Sequence, residues 1–103
     1  MYKFIFFVPN SALEQVKEAV FAANGGTIGN YSHCAWQVLG EGQFKPLPGS
    51  TPFSGEINRL KKVAEWRVEL IVEAQYIKAA VAAMKAAHPY ETPAYDVLKL
   101  ADF

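Results

Sequence analysis

The chain has 103 residues, 51% hydrophobic and 19% charged, which is one domain's worth of sequence with a core to bury and excludes a disordered tail. Ten Lys and Arg balance ten Asp and Glu, which argues against neutralising a phosphate backbone and so against a nucleic-acid partner. Cys34 is the one cysteine, so no internal disulfide can form and a reducing, cytoplasmic location is expected.

Tyr2 to Val8 is rich in aromatic and β-branched residues and stops at Pro9-Asn10, which predicts a strand. Its apolar run, Phe4 to Val8, is too short for a signal-peptide core or a membrane span, so no membrane partner is expected. Ser11-Ala12-Leu13-Glu14 has the form of a capping box, and Leu13, Val16, Val20 and Ala23 follow at helical spacing until Asn24-Gly25-Gly26. Cys34 to Leu39 alternates, with Trp36 and Val38 on one side, and runs into Gly40-Glu41-Gly42. An irregular loop punctuated by Pro46, Pro48, Gly49, Pro52 and Gly55 comes next. Val63 to Val72 alternates cleanly, setting Trp66, Val68, Leu70 and Val72 against Glu65, Arg67 and Glu69. Gln75 to Ala87 is helical by composition, Pro89 ends it, and Ala94 to Leu100 is the last strand.

The order β-α-β-β-α-β predicts a single α+β, ferredoxin-like domain over residues 1–103. Its sheet is expected to be antiparallel, in the order 4-1-3-2, with both helices on one face. The other face should be polar in a monomer. Instead Ile5 and Phe7 stand opposite Tyr2, Phe4, Phe6 and Val8, Ile71 adds to the same side, and the last strand is apolar on both faces. A central strand apolar on both faces needs cover on both, which predicts self-association through the open face.

His33 and His88 fall in loops at opposite ends of this topology, so a shared site needs a subunit boundary. Two histidines are too few for a closed metal site, and a divalent metal held through His33 is the weaker alternative. The loop from Lys45 to Asn58 and the turn His88-Pro89-Tyr90-Glu91 belong to one end of the sheet. There Phe44, Phe53, Tyr90, His88, Glu56 and Glu91 are expected to line one concave patch of aromatic walls and a few polar groups, the make-up of a small-ligand pocket. A histidine at position 88 could act as an acid or base near neutrality, but nothing pairs it with a nucleophile, so binding is favoured over catalysis. Gly25-Gly26-Thr27-Ile28-Gly29 follows a helix instead of opening one, which rules out a pyrophosphate loop. Arg59, Lys61 and Lys62 are flanked by Glu56 and Glu65 and read as a solvated face.

Gly29-x-Tyr31-x-x-Cys34, the Phe44-x-Pro46-x-x-Gly49-x-x-Pro52-Phe53-x-Gly55-Glu56 run and His88-Pro89-Tyr90-Glu91-x-x-Ala94-Tyr95-Asp96 together resemble the domain inserted in many bacterial Nif-three-like proteins, the GTP cyclohydrolase type-two homologs. The resemblance runs from Tyr2 to about Leu100 and implies a PII- and CutA-like trimeric fold. The family's dinuclear metal centre lies in a separate domain, so its chemistry is not carried over, and a free-standing version of the accessory domain is implied. The reading is a non-enzymatic, homotrimeric module binding a small ligand through His88, Tyr90, Glu91, Phe53 and Glu56. Docking in trans on a metal-dependent partner through the apolar loop Leu47 to Phe53 is the alternative, with CutA-like divalent-metal binding at His33 behind it.

Overall fold

The alternation of Phe4, Phe6 and Val8 with Ile5 and Phe7 places β1 (Tyr2–Pro9) at the centre of a four-stranded sheet, in a computed structural model that describes residues 1–103. β1 pairs antiparallel with β3 (Lys61–Val72) on one side and β4 (Tyr95–Lys99) on the other, and β2 (Trp36–Phe44) pairs with the outer edge of β3. The order β2-β3-β1-β4 is the expected 4-1-3-2 read from the other edge. Phe4 stands opposite Leu70 and Val97, and Phe6 opposite Val68 and Tyr95, so side chains of one parity form a continuous apolar sheet face.

Two helices cover that face. α1 (Leu13–Ala22) buries Leu13, Val16 and Val20, and α2 (Ile77–Ala87) buries Ala80 and Met84. Phe4, Phe6, Val8, Val68 and Val72 complete the core beneath them. The capping box does not form. The chain enters α1 through a 3-10 turn, Asn10–Ala12, in which the Leu13 N–H already donates to the Asn10 carbonyl, leaving Ser11 no cap to supply. The Asn10 side chain instead accepts from Trp66 Nε1 at 3.0 Å, and Glu14 pairs with Lys17 at 3.2 Å.

β2 also departs from expectation. It starts at Trp36, not Cys34, because the Cys34 N–H is held at 2.8 Å by the Gly26 carbonyl in the preceding loop. It then runs through Gly40-Glu41-Gly42 to Phe44, because β3 supplies a full ladder partner at every step. Gly26 has φ +78°, and a Cβ there would lie 2.8 Å from the Cys34 carbonyl oxygen, so this clamp requires glycine.

The face without helices carries Ile5, Phe7, Ile71, Trp36, Val38 and Leu98. Ile5 is buried, whereas Trp36 is 60% and Leu98 52% exposed. The Arg67–Glu69 pair, 2.9 Å apart, crosses the same face. Leu100 lies just past β4, with its N–H donating to the Met1 carbonyl at 3.1 Å.

Candidate functional site

The β2–β3 connection folds back against the α2–β4 turn and encloses a cavity of about 240 Å³ at one end of the sheet. Its walls come from three places: Phe44 at the end of β2, Phe53 in the long loop, and Tyr90 after α2. The Phe53 and Phe44 ring centres lie 5.9 and 6.4 Å from that of Tyr90, each tilted by about 45–48°, so the rings enclose a corner instead of stacking. The loop holds its shape through backbone bonds, Asn58 N–H to the Pro46 carbonyl at 2.6 Å and Ser50 N–H to Leu47 at 3.0 Å. Glu91 ties the two segments together, its Oε2 accepting from the Thr51 N–H at 3.1 Å.

His88 lies behind this wall. Its Nε2 donates to the Phe7 carbonyl at 2.7 Å, and its Nδ1 accepts from the Tyr90 N–H at 3.1 Å, a pair of partners that fixes the neutral tautomer. With both nitrogens engaged, His88 orients Tyr90, whose ring is 4.8 Å away, and does not itself line the cavity. Burial holds its pKa below the ordinary histidine range, partly offset by the Phe7 hydrogen bond. A histidine depressed in the folded state adds stability that is whole above its unfolded pKa of about 6.5 and drains away as pH falls through the folded value. Melting temperatures measured between about pH 7.5 and 5.5 should therefore fall more steeply with acid in the natural chain than in His88→Gln. Equal slopes would mean that His88 is protonated without penalty. Glu65, whose carboxyl burial pushes upward, contributes in the opposite sense in both proteins and cancels from the comparison.

Glu56, expected on the same patch, lies outside the cavity and pairs with Arg59 at 3.3 Å on the exposed side of the loop. Its place among the lining carboxylates is taken by Glu65 of β3. The Glu65 side chain crosses the backbone of Gly42, where any Cβ would collide with it. Tyr90 carries a further tension: its hydroxyl is buried without a hydrogen-bond partner, and burial together with the negative charge of Glu65 raises its pKa.

No protein-family profile matches the chain. Over 98 residues it is 47% identical to a GTP cyclohydrolase 1 type 2 homolog of Mycobacterium leprae, covering 95% of this chain and 26% of the relative. The homolog from Halalkalibacterium halodurans is 45% identical over 102 residues, 99% of this chain and 27% of the relative. The chain is similar to one segment of these proteins. It spans about a quarter of the length of the curated relatives it matches. Among solved structures, a Bacillus cereus protein related to NIF3 superposes with a TM-score of 0.84 at 40% identity, over 98% of this chain and 26% of that one. CutA1 from Pyrococcus horikoshii superposes with a TM-score of 0.72 at 14% identity, over 100% of this chain and 86% of that one, which shows a shared fold.

His33 lies at the far end of the sheet from His88, in the loop clamped to the Ile71 carbonyl through Gly26. Its ring packs 4.6 Å from that of Phe21, and its Nε2 lies 3.9 Å from a Glu18 carboxylate. Nowhere do three or more His, Cys, Asp or Glu side chains converge as a metal site requires. No helix is long and apolar enough to cross a membrane.

Proposed function

We propose that this chain is a non-enzymatic, self-associating binding module whose ligand site is the cavity walled by Phe44, Phe53 and Tyr90. The observation that carries the reading is a cavity of about 240 Å³ built from three separate chain segments, with aromatic walls and a few polar groups. Phe53, 57% exposed yet packed against Tyr90, supports the same reading, since an aromatic ring at a cavity mouth is available to a bound molecule. Binding is favoured over catalysis because both nitrogens of His88 are engaged and Ser50 donates its hydroxyl to the Leu47 carbonyl at 2.7 Å. The exposure of Trp36 and Leu98 on the helix-free face supports self-association.

A screen of small aromatic fragments against the isotope-labelled chain tests the site. Fragments that bind are expected to shift the amide signals of Thr51, Tyr90 and Glu91, and to bind about tenfold more weakly to Phe53→Ala. Because Phe53 is largely exposed, this variant is expected to keep its fold. Undiminished affinity in folded Phe53→Ala, or shifts confined to the shallow groove that Ile77, Val81, Lys85 and Tyr95 line between α2 and β4, would remove the cavity from consideration.

A further inference from the structure

The chemistry of the cavity lining narrows the class of ligand. Glu65 and Glu91 are its only ionisable side chains besides Tyr90, and no Lys, Arg or His lines it. Neither carboxylate is neutralised from outside, because the four ion pairs of the chain join Lys17 to Glu14, His33 to Glu18, Arg59 to Glu56 and Arg67 to Glu69. Glu91 receives one backbone N–H, while Glu65 makes no hydrogen bond to another side chain or to the backbone.

We propose that the cavity takes an organic cation bearing N–H groups, a protonated amine or amidine on a ring-sized apolar body. The inference rests on the reading of the cavity as a ligand site and gives that ligand its charge. Three features point the same way. First, a half-buried carboxylate with no counter-charge carries a desolvation cost, and a bound cation offsets it, whereas an anion adds repulsion and a neutral molecule leaves Glu65 as it was. Second, three aromatic side chains, Phe44, Phe53 and Tyr90, line the cavity, and an aromatic face attracts an ammonium or amidinium group. Third, the Glu65 and Glu91 carboxylates that line the cavity accept hydrogen bonds from N–H groups of the ligand. That last contact separates a protonated amine from a quaternary ammonium, which has no hydrogen to donate.

Gly42 supports the arrangement. The Glu65 side chain occupies the space that a side chain at position 42 would need, so glycine there leaves room for the carboxylate across β2 at the cavity wall.

Benzylammonium, benzyl alcohol and benzoate are close to isosteric and differ in charge, so titrating each into the labelled chain isolates the electrostatic preference. Benzylammonium is expected to shift Thr51, Tyr90 and Glu91 and to bind at least about tenfold more tightly than benzyl alcohol, with benzoate weaker still. Glu65→Gln should cut that preference several-fold, and Glu91→Gln gives the same readout should Glu65→Gln not fold. Benzyl alcohol or benzoate binding at these residues as tightly as benzylammonium would overturn the cation assignment and leave the cavity as a ligand site. Retention of the preference by both Glu65→Gln and Glu91→Gln, each folded, would overturn the cation assignment in the same way. Failure of all three probes to shift these residues would overturn the assignment together with the site.

Discussion

Phe4→Ala is expected to cost about 3–5 kcal/mol of folding stability, a large share of the roughly 5–15 kcal/mol that holds a domain of this size. Phe4 is fully buried on the central strand, with its ring 5.4 Å from that of Phe6 and 6.2 Å edge-on from that of Tyr95. It therefore joins β1 to its neighbours on both sides, opposite Leu70 in one and Val97 in the other. Removing the ring leaves a cavity under the helices that rigid strands cannot collapse to fill. In a chain of about 100 residues, the expected loss lowers the melting temperature by roughly 15–30 °C, and Phe4→Leu should recover more than half of it. Both variants need comparison at equal protein concentration, since the proposed self-association would link stability to concentration. A drop below about 1 kcal/mol would mean that the sheet and helices are not packed around this ring.

That core was legible in the sequence because strand periodicity is local. Phe4, Phe6 and Val8, and likewise Val68, Leu70 and Val72, announce their common face by alternation alone, and each is buried. The failures lie where a distant partner decides. Ser11 and Glu14 satisfy the local pattern of a cap, yet Trp66, 56 residues after Asn10, takes the Asn10 side chain and a 3-10 turn opens the helix. Gly40-Glu41-Gly42 looks like the end of a strand, but the ladder to β3 carries β2 through it.

The cavity divides in the same way. Phe53, Tyr90 and Glu91 could be placed near one another from topology, since their loops had to share one end of the sheet. Whether Glu56 or Glu65 completed the lining depended on cross-strand register, which brings Glu65 beside the glycines of β2 and leaves Glu56 to Arg59. The signal for Glu65 was the spacing of Gly40 and Gly42, two positions on one side of a strand where a neighbour's side chain has room to cross. Without the register, that spacing reads as a turn.

Register also fixes which exposed residues belong to the helix-free face, and so identifies a substitution that tests self-association without touching the core. Trp36 stands opposite Glu69 on that face, at the outer edge of the sheet, and is 60% exposed. A tryptophan side chain buries up to about 250 Å², so covering the exposed part removes roughly 150 Å² from water, worth about 4 kcal/mol. Trp36→Glu forfeits this and adds a charge to an apolar contact, and is expected to weaken association by at least two to three orders of magnitude, roughly. Leu39 is the matched control: it is 54% exposed on the same strand but points to the opposite face, opposite Trp66, so Leu39→Glu should leave association intact. Sedimentation velocity over a concentration series reads both, with circular dichroism showing that each variant remains folded. A natural chain that stays monomeric throughout, or a Trp36→Glu variant that sediments like it, would mean that the apolar side chains of this face, Ile5 among them, are covered well enough by one another. Equal dissociation by Trp36→Glu and Leu39→Glu would instead move the interface to the edge of β2, where both faces of the strand meet the neighbouring copy.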